Sequence, residues 1–245
     1  MEANSLIETG AAALVLALAF LVGGRVHPLS ALTGDRRNLV SFSAGMAAAY
    51  VFVHVMPELQ GVRRVFVESA SLPMRYEGMA IYVVALIGFL AYYGLDHLRA
   101  RLNGSDAEDR EQSAFKLHVG GFAVYVALVA YLLVRNLEET PVSLVLYTIA
   151  MALHFLTVDH ALREEHGTAY EGTGRLVLAA MALLGWALGQ VIALPQPVVA
   201  LLLAFLSGAV ILNSSLMELP SEKDGRFVPF MIGGLLYALI LLPLG

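Results

Sequence analysis

Eight runs of apolar residues, each close to the length that crosses a bilayer, constrain this chain more than any other feature. They fall at roughly 5–24, 39–60, 78–98, 117–134, 142–162, 176–194, 198–218 and 228–243. A helix needs about 20 mostly apolar residues to span the hydrocarbon. Backbone polar groups cannot stay unpaired in lipid, so only helices or a closed barrel can span. A barrel strand would alternate apolar and polar residues, whereas these runs are continuous, so the predicted class is all-α and polytopic. Composition agrees: only 14% of the 245 residues are charged, against about 25% in a soluble domain. The net charge of -5 offers no basic footprint, which excludes nucleic acid as a partner and leaves membrane lipid. Cysteine is absent, so disulfides, thiolate zinc sites and a cysteine nucleophile are excluded. Met1 to Gly10 carries Glu2 and Glu8 and no cation, so the first run reads as a retained span rather than a signal peptide.

Turn chemistry marks the breaks. Gly23-Gly24-Arg25 closes the first run, and Pro57 is expected in the last turn of the second. Asn103-Gly104-Ser105-Asp106 opens a charged loop, Pro141 starts the fifth run, and Pro195-Gln196-Pro197 links the sixth to the seventh. The connections are short, so residues 1–245 read as a single transmembrane domain. About eleven of the 15 Lys and Arg fall in the loops joining helices 1 to 2, 3 to 4, 5 to 6 and 7 to 8. Arg63, Arg64, Arg75 and Arg135 are assigned to the other side. The positive-inside rule then places both termini outside the plasma membrane.

Helices 2 and 7 resemble each other. Gly45 precedes Pro57 by twelve residues, and Gly208 precedes Pro220 by twelve. Acids surround each proline, Glu58 in the first and Glu218 and Glu222 in the second. Helices 3 and 8 follow with Gly88-Phe89 and Gly233-Gly234. A repeat displaced by five helices must be inverted in the membrane, which is a transporter signature. The bland alternative is that Gly and Pro are simply common in membrane helices.

The helix 2 string, Ser43-Ala44-Gly45 through His54-Val55-Met56-Pro57-Glu58, resembles the second helix of the Zrt/Irt-like (ZIP) divalent-metal transporters. Helix 7, Ser207-Gly208 through Glu218-Leu219-Pro220, is similar to that family's seventh. The resemblance implies eight helices, with inverted three-helix repeats (helices 1–3 and 6–8) around helices 4 and 5, and a metal site on those two. It also implies a fourth helix reading His-Asn-x-x-(Asp or Glu)-Gly and a fifth reading His-Glu-x-Pro-(His or Glu). Here the corresponding stretches are His118-Val119-Gly120-Gly121-Phe122-Ala123 and His154-Phe155-Leu156-Thr157-Val158, and only the histidines match.

His154 is the central candidate, because an ionisable group inside a span is costly and usually faces the bundle interior or a cavity. Imidazole ligates zinc, manganese or iron(II), and near its unperturbed pKa of about 6.5 it can relay protons; the bland alternative is a core histidine bonded to a neighbouring helix. His118 is a second candidate ligand if helix 4 sits deep enough. His54 and Glu58 are four apart, share a face, and are assigned to the outer mouth, or to an ordinary hydrogen bond. Asp159 and His160 are assigned to the inner mouth; being five or more residues beyond His154, they do not share its face. Asp159–Arg163 and His160–Glu164 are also spaced as i,i+4 ion pairs on a solvated helix exit. His27, His97, His118, His160 and His166 are all assigned to the cytoplasmic face, as a metal exit, a sensing site or merely a solvated surface. Asn213 and Ser214-Ser215 in helix 7 are read as interhelical hydrogen-bonding groups, or as lining of a path.

The resemblance implies inward divalent-metal transport by alternating access, with zinc as cargo and iron(II) or manganese as alternatives. No resident cofactor and no enzymatic activity are expected. One alternative is a ZIP-like protein that does not transport and has a structural or metal-sensing role. Another is an intramembrane metal-dependent hydrolase, which needs three ligands around one open position. A homodimer is compatible with these readings, and no motif marks one.

Overall fold

The structure, a computed structural model, describes residues 3–25, 36–69, 77–103, 108–135, 141–216 and 225–242. These residues are helical almost throughout, with no strand among them. We number the helices α1 (Ala3–Val22), α2 (Arg36–Tyr50, a π turn at Val51–Val55, and Met56–Ser69), α3 (Glu77–Asn103) and α4 (Glu108–Arg135). Then come α5 (Pro141–Ala169), α6 (Arg175–Val191), α7 (Gln196–Leu216) and α8 (Phe227–Leu241), with a π turn, Tyr170–Gly174, between α5 and α6. Among the described residues, five helical stretches are long and apolar enough to cross a membrane: Ser41–Ser69, Gly78–Arg101, Gln112–Arg135, Tyr147–Val191 and Gln196–Ser214. Leu6–Val22 and Phe227–Leu241 are apolar but shorter. Large side chains such as Leu86, Ile87 and Leu90 on α3 and Leu235 and Leu239 on α8 are exposed. Lipid is the solvent in which such faces are stable, so the protein is compatible with multi-pass insertion. His27, Glu218, Pro220 and Glu222 lie outside the described residues.

Two boundaries differ from the expectation, each for a local reason. Pro57 does not end helix 2, which continues to Ser69. Proline has no N–H and its ring crowds the carbonyl of residue i−4. The preceding turn widens to accommodate this: Met56 N–H donates to Val51 O, five residues back, and the helix resumes. The expected loop from 163 to 175 is also helical, broken at Gly167, where φ is 50° and ψ is −124°. Only glycine adopts that conformation without strain. Gly167→Ala is therefore expected to cost about 1–3 kcal/mol, read as a lower melting temperature of the detergent-solubilised protein. A melt matching wild type would mean the break is not held at this φ.

The chain divides into two compact units. One comprises Met1–Gly24 and Ala91–Leu194, the other Arg25–Leu90 and Pro195–Gly245. The first holds α1, the second half of α3, α4, α5 and α6; the second holds α2, the first half of α3, α7 and α8. This division cuts across the implied outer three-helix repeats around helices 4 and 5, because the tightest helix contacts lie elsewhere.

In the first unit α6 packs on α4, and a Cβ at Gly185 would collide with the Ala127 carbonyl. Trp186 Nε1–H donates to Thr9 Oγ1 at 3.2 Å, tying α6 to α1. In the second unit α2 pairs with α8, and α3 with α7. A Cβ at Gly45 would meet Phe230 O and Gly234 N; one at Gly208 would meet Ala85 O and Phe89 N. A Cβ at Gly233 would meet Phe42 O; one at Gly88 would meet Phe205 O. Leu59, Val62 and Phe66 of α2 fill the core of this unit against Ile81 and Ala85 of α3 and Ala200 and Ala204 of α7.

Candidate metal centre

Two histidine contacts join α4 to α5 in the first unit. In mid-helix, His154 Nε2 lies 3.0 Å from Tyr125 Oη, in a hydrogen bond whose donor depends on the imidazole tautomer. His154 is 8% exposed and Tyr125 is fully buried. Phe155 packs against both rings, and Phe20 of α1 lies 4.9 Å from Phe155. The surroundings of this histidine are thus largely aromatic, and its Nε2 already engages a hydroxyl.

His118 does not join His154. It lies on α4 seven residues before Tyr125, near the start of the apolar stretch. Its Nδ1 is 3.0 Å from His166 Nε2 and 3.4 Å from Glu165 Oε2. His118 is buried, whereas Glu165 and His166 reach solvent at the end of α5, immediately before the Gly167 break. One ligand atom from each of the three lies within 4.8 Å of the others. Glu165 also pairs with Arg99 of α3, and Arg99 Nη2 donates to Asp96 Oδ1 at 2.6 Å. The edge of the Phe115 ring meets His166.

Asp159 is fully buried and committed to protein partners. Arg163 Nη2 donates to its two oxygens at 3.3 and 3.1 Å, and Tyr170 Oη–H donates to Oδ1 at 2.7 Å. Arg163 also donates to Glu171 at 2.9 Å. An incoming ion would have to displace a guanidinium from Asp159. His160 points elsewhere, with Nε2 3.5 Å from Glu164 Oε1 at an exposed position. His97 stacks on Tyr93 at 6.2 Å and is not part of the His118 group.

In the second unit, His54 and Glu58 face each other across the end of the π turn, with Nε2 3.7 Å from Oε2. That is an ion-pair distance beyond hydrogen-bond reach. The His54 ring lies 5.1 Å from Tyr50, and its Nε2 makes no hydrogen bond. Ser207, Asn213 and Ser214 of α7 are buried. Ser207 Oγ–H donates to Leu203 O at 2.8 Å, and Asn213 Nδ2 is buried without a hydrogen-bond partner.

A sensing site at the cytoplasmic face requires several of His27, His97, His118, His160 and His166 to meet each other or nearby acids. Among the described residues His118 and His166 meet, with Glu165, while His97 and His160 lie elsewhere. No motif in the sequence marks Tyr125 as the partner of His154. One signal was present: His118 and Tyr125 are seven apart, two helical turns, and so present one face to α5. The chain matches no protein-family model, and no curated protein is significantly similar to it.

Proposed function

We propose that this is a divalent-metal transporter of ZIP-like architecture, with eight spans and an inverted repeat, carrying zinc-class ions across the plasma membrane. The observation that supports this most is the correspondence between glycine contacts. Displacing Gly45 and Phe42 by 163 residues gives Gly208 and Phe205; displacing Ala85, Gly88 and Phe89 by 145 gives Phe230, Gly233 and Gly234. Under that mapping the contacts of α2 on α8 become those of α7 on α3, atom type for atom type. Two unrelated glycine contacts have no reason to share register in this way, whereas inverted repeats must. Each compact unit then receives helices from both repeats, so the units are the natural rigid bodies for alternating access. His154 is the candidate mid-membrane ligand, exchanging Tyr125 for the ion. His54 and Glu58 serve the outer mouth, and both termini face outside.

The test is zinc uptake into proteoliposomes. Wild type is expected to show saturable flux, His154→Ala to lose at least about tenfold, and Tyr125→Phe to retain it. Absence of flux for zinc, iron(II) and manganese, with folded protein, overturns transport. The second reading, a ZIP-like protein that binds metal without transporting it, is favoured by the aromatic, hydroxyl-engaged setting of His154.

A further inference from the structure

The group at the polar end of α4 and α5 is not used by the transport reading, yet its geometry is that of a ligand set. A tetrahedral ion with bonds of about 2.0–2.1 Å holds its ligands about 3.4 Å apart. His118 Nδ1 stands 3.0 Å from His166 Nε2 and 3.4 Å from Glu165 Oε2. The third pair, His166 and Glu165, stands within 4.8 Å, so side-chain shifts of at most about an ångström would bring all three atoms onto one ion. The anchoring ligand is the buried His118, while Glu165 and His166 open to solvent and leave room for water as the fourth ligand.

We propose that His118, Glu165 and His166 form a binding site for a divalent cation of the zinc class, with Arg99 as the competing internal cation. Two imidazoles and one carboxylate suit zinc, cobalt(II), iron(II) or manganese, and are poor for calcium or magnesium, which take all-oxygen shells. Arg99 now supplies positive charge to Glu165. A bound ion replaces it, and Arg99 stays with Asp96, three residues before it on the same helix. Metal occupancy thus decides whether the end of α3 is tied to the end of α5, which is the action of a sensor. The site shares His118 with the one the family resemblance implies but completes it differently, with residues eleven and twelve positions beyond His154 instead of His154 itself.

The experiment is calorimetric titration of the purified full-length protein in detergent with zinc, alongside cobalt(II) absorption spectroscopy. Wild type is expected to show a saturable equivalent at this site, one that depends on His166, with visible cobalt bands of a four-coordinate nitrogen–oxygen site. His166→Ala and Glu165→Gln are expected to weaken it more than about tenfold. Arg99→Gln is expected to tighten it roughly tenfold, by removing a neighbouring positive charge. His97→Ala, which removes a ring stacked on Tyr93 outside the group, is expected to bind as wild type does. Binding in detergent is read apart from liposome flux, so failure of this site and failure of transport are distinguishable. No saturable binding, binding indifferent to His166→Ala, or weaker binding in Arg99→Gln would overturn the proposal. If His166→Ala fails to fold, the direction of the Arg99→Gln change decides.

Discussion

Gly208→Ala and Gly45→Ala are each expected to destabilise the protein by about 3 kcal/mol or more, through overpacking against backbone that cannot rotate away. For a chain of this size that is a fall of roughly 6–12 °C in melting temperature. The added methyl would overlap Ala85 O in one case and Phe230 O in the other. A side chain in the way could change rotamer; a carbonyl in a neighbouring helix moves only if the helix does. Gly61 and Gly120 supply the controls, because a Cβ there meets nothing within 4 Å. Both lie in helices, where Gly→Ala gains up to about 1 kcal/mol of propensity. Thermal melts of the four purified variants decide the matter. Severe loss at both Gly45 and Gly208 is the result the inverted repeat requires. Loss at one alone would break the correspondence, and four similar melts would refute the close backbone packing.

Removing the guanidinium from the buried Asp159 is the second large effect. Arg163→Met is expected to cost about 3–5 kcal/mol, the usual penalty for leaving one member of a buried ion pair uncompensated. Asp159 is fully buried, and its remaining partner is the neutral Tyr170 hydroxyl. The double variant Asp159→Asn with Arg163→Met removes the stranded charge and keeps an acceptor for Tyr170. It is expected to recover most of the loss, and fluorescence-detected melting of the single and double variants measures the coupling. Additive losses would show that the pair contributes little. Asp159→Asn is further expected to leave zinc affinity unchanged, since the carboxylate is held by Arg163 and Tyr170; a large drop would restore Asp159 as a ligand.

The candidate site was only half legible because its members are joined across helices. The sequence puts His118 and His166 at one membrane face, but with the fifth apolar run ending at 162 it gives Glu165 and His166 no fixed helical position. The run of charges Arg163-Glu164-Glu165-His166 is one that normally marks a helix exit. Here the charges are absorbed by partners on the same and neighbouring helices: Asp159 and Glu171 for Arg163, Arg99 for Glu165. The helix therefore continues to Gly167. In helix 2, Pro57 carries the usual signal of a helix end, and a π turn that no residue-level rule reveals lets the helix pass it.

Sequence alone determined the helical class, the position of the apolar runs, the same-face pairs His54–Glu58 and Asp159–Arg163, and the matched Gly45 and Gly208. These follow from hydropathy and helical period, which act within a few residues of one another along the chain. Tertiary structure alone decided that Gly45 opposes α8 while Gly208 opposes α3. It alone gave His154 to Tyr125 and His118 to His166 and Glu165. Those outcomes depend on how each helix is rotated about its axis and which neighbour it meets. A rotation of one residue, about 100°, exchanges one set of partners for another without changing the local pattern that made the helix.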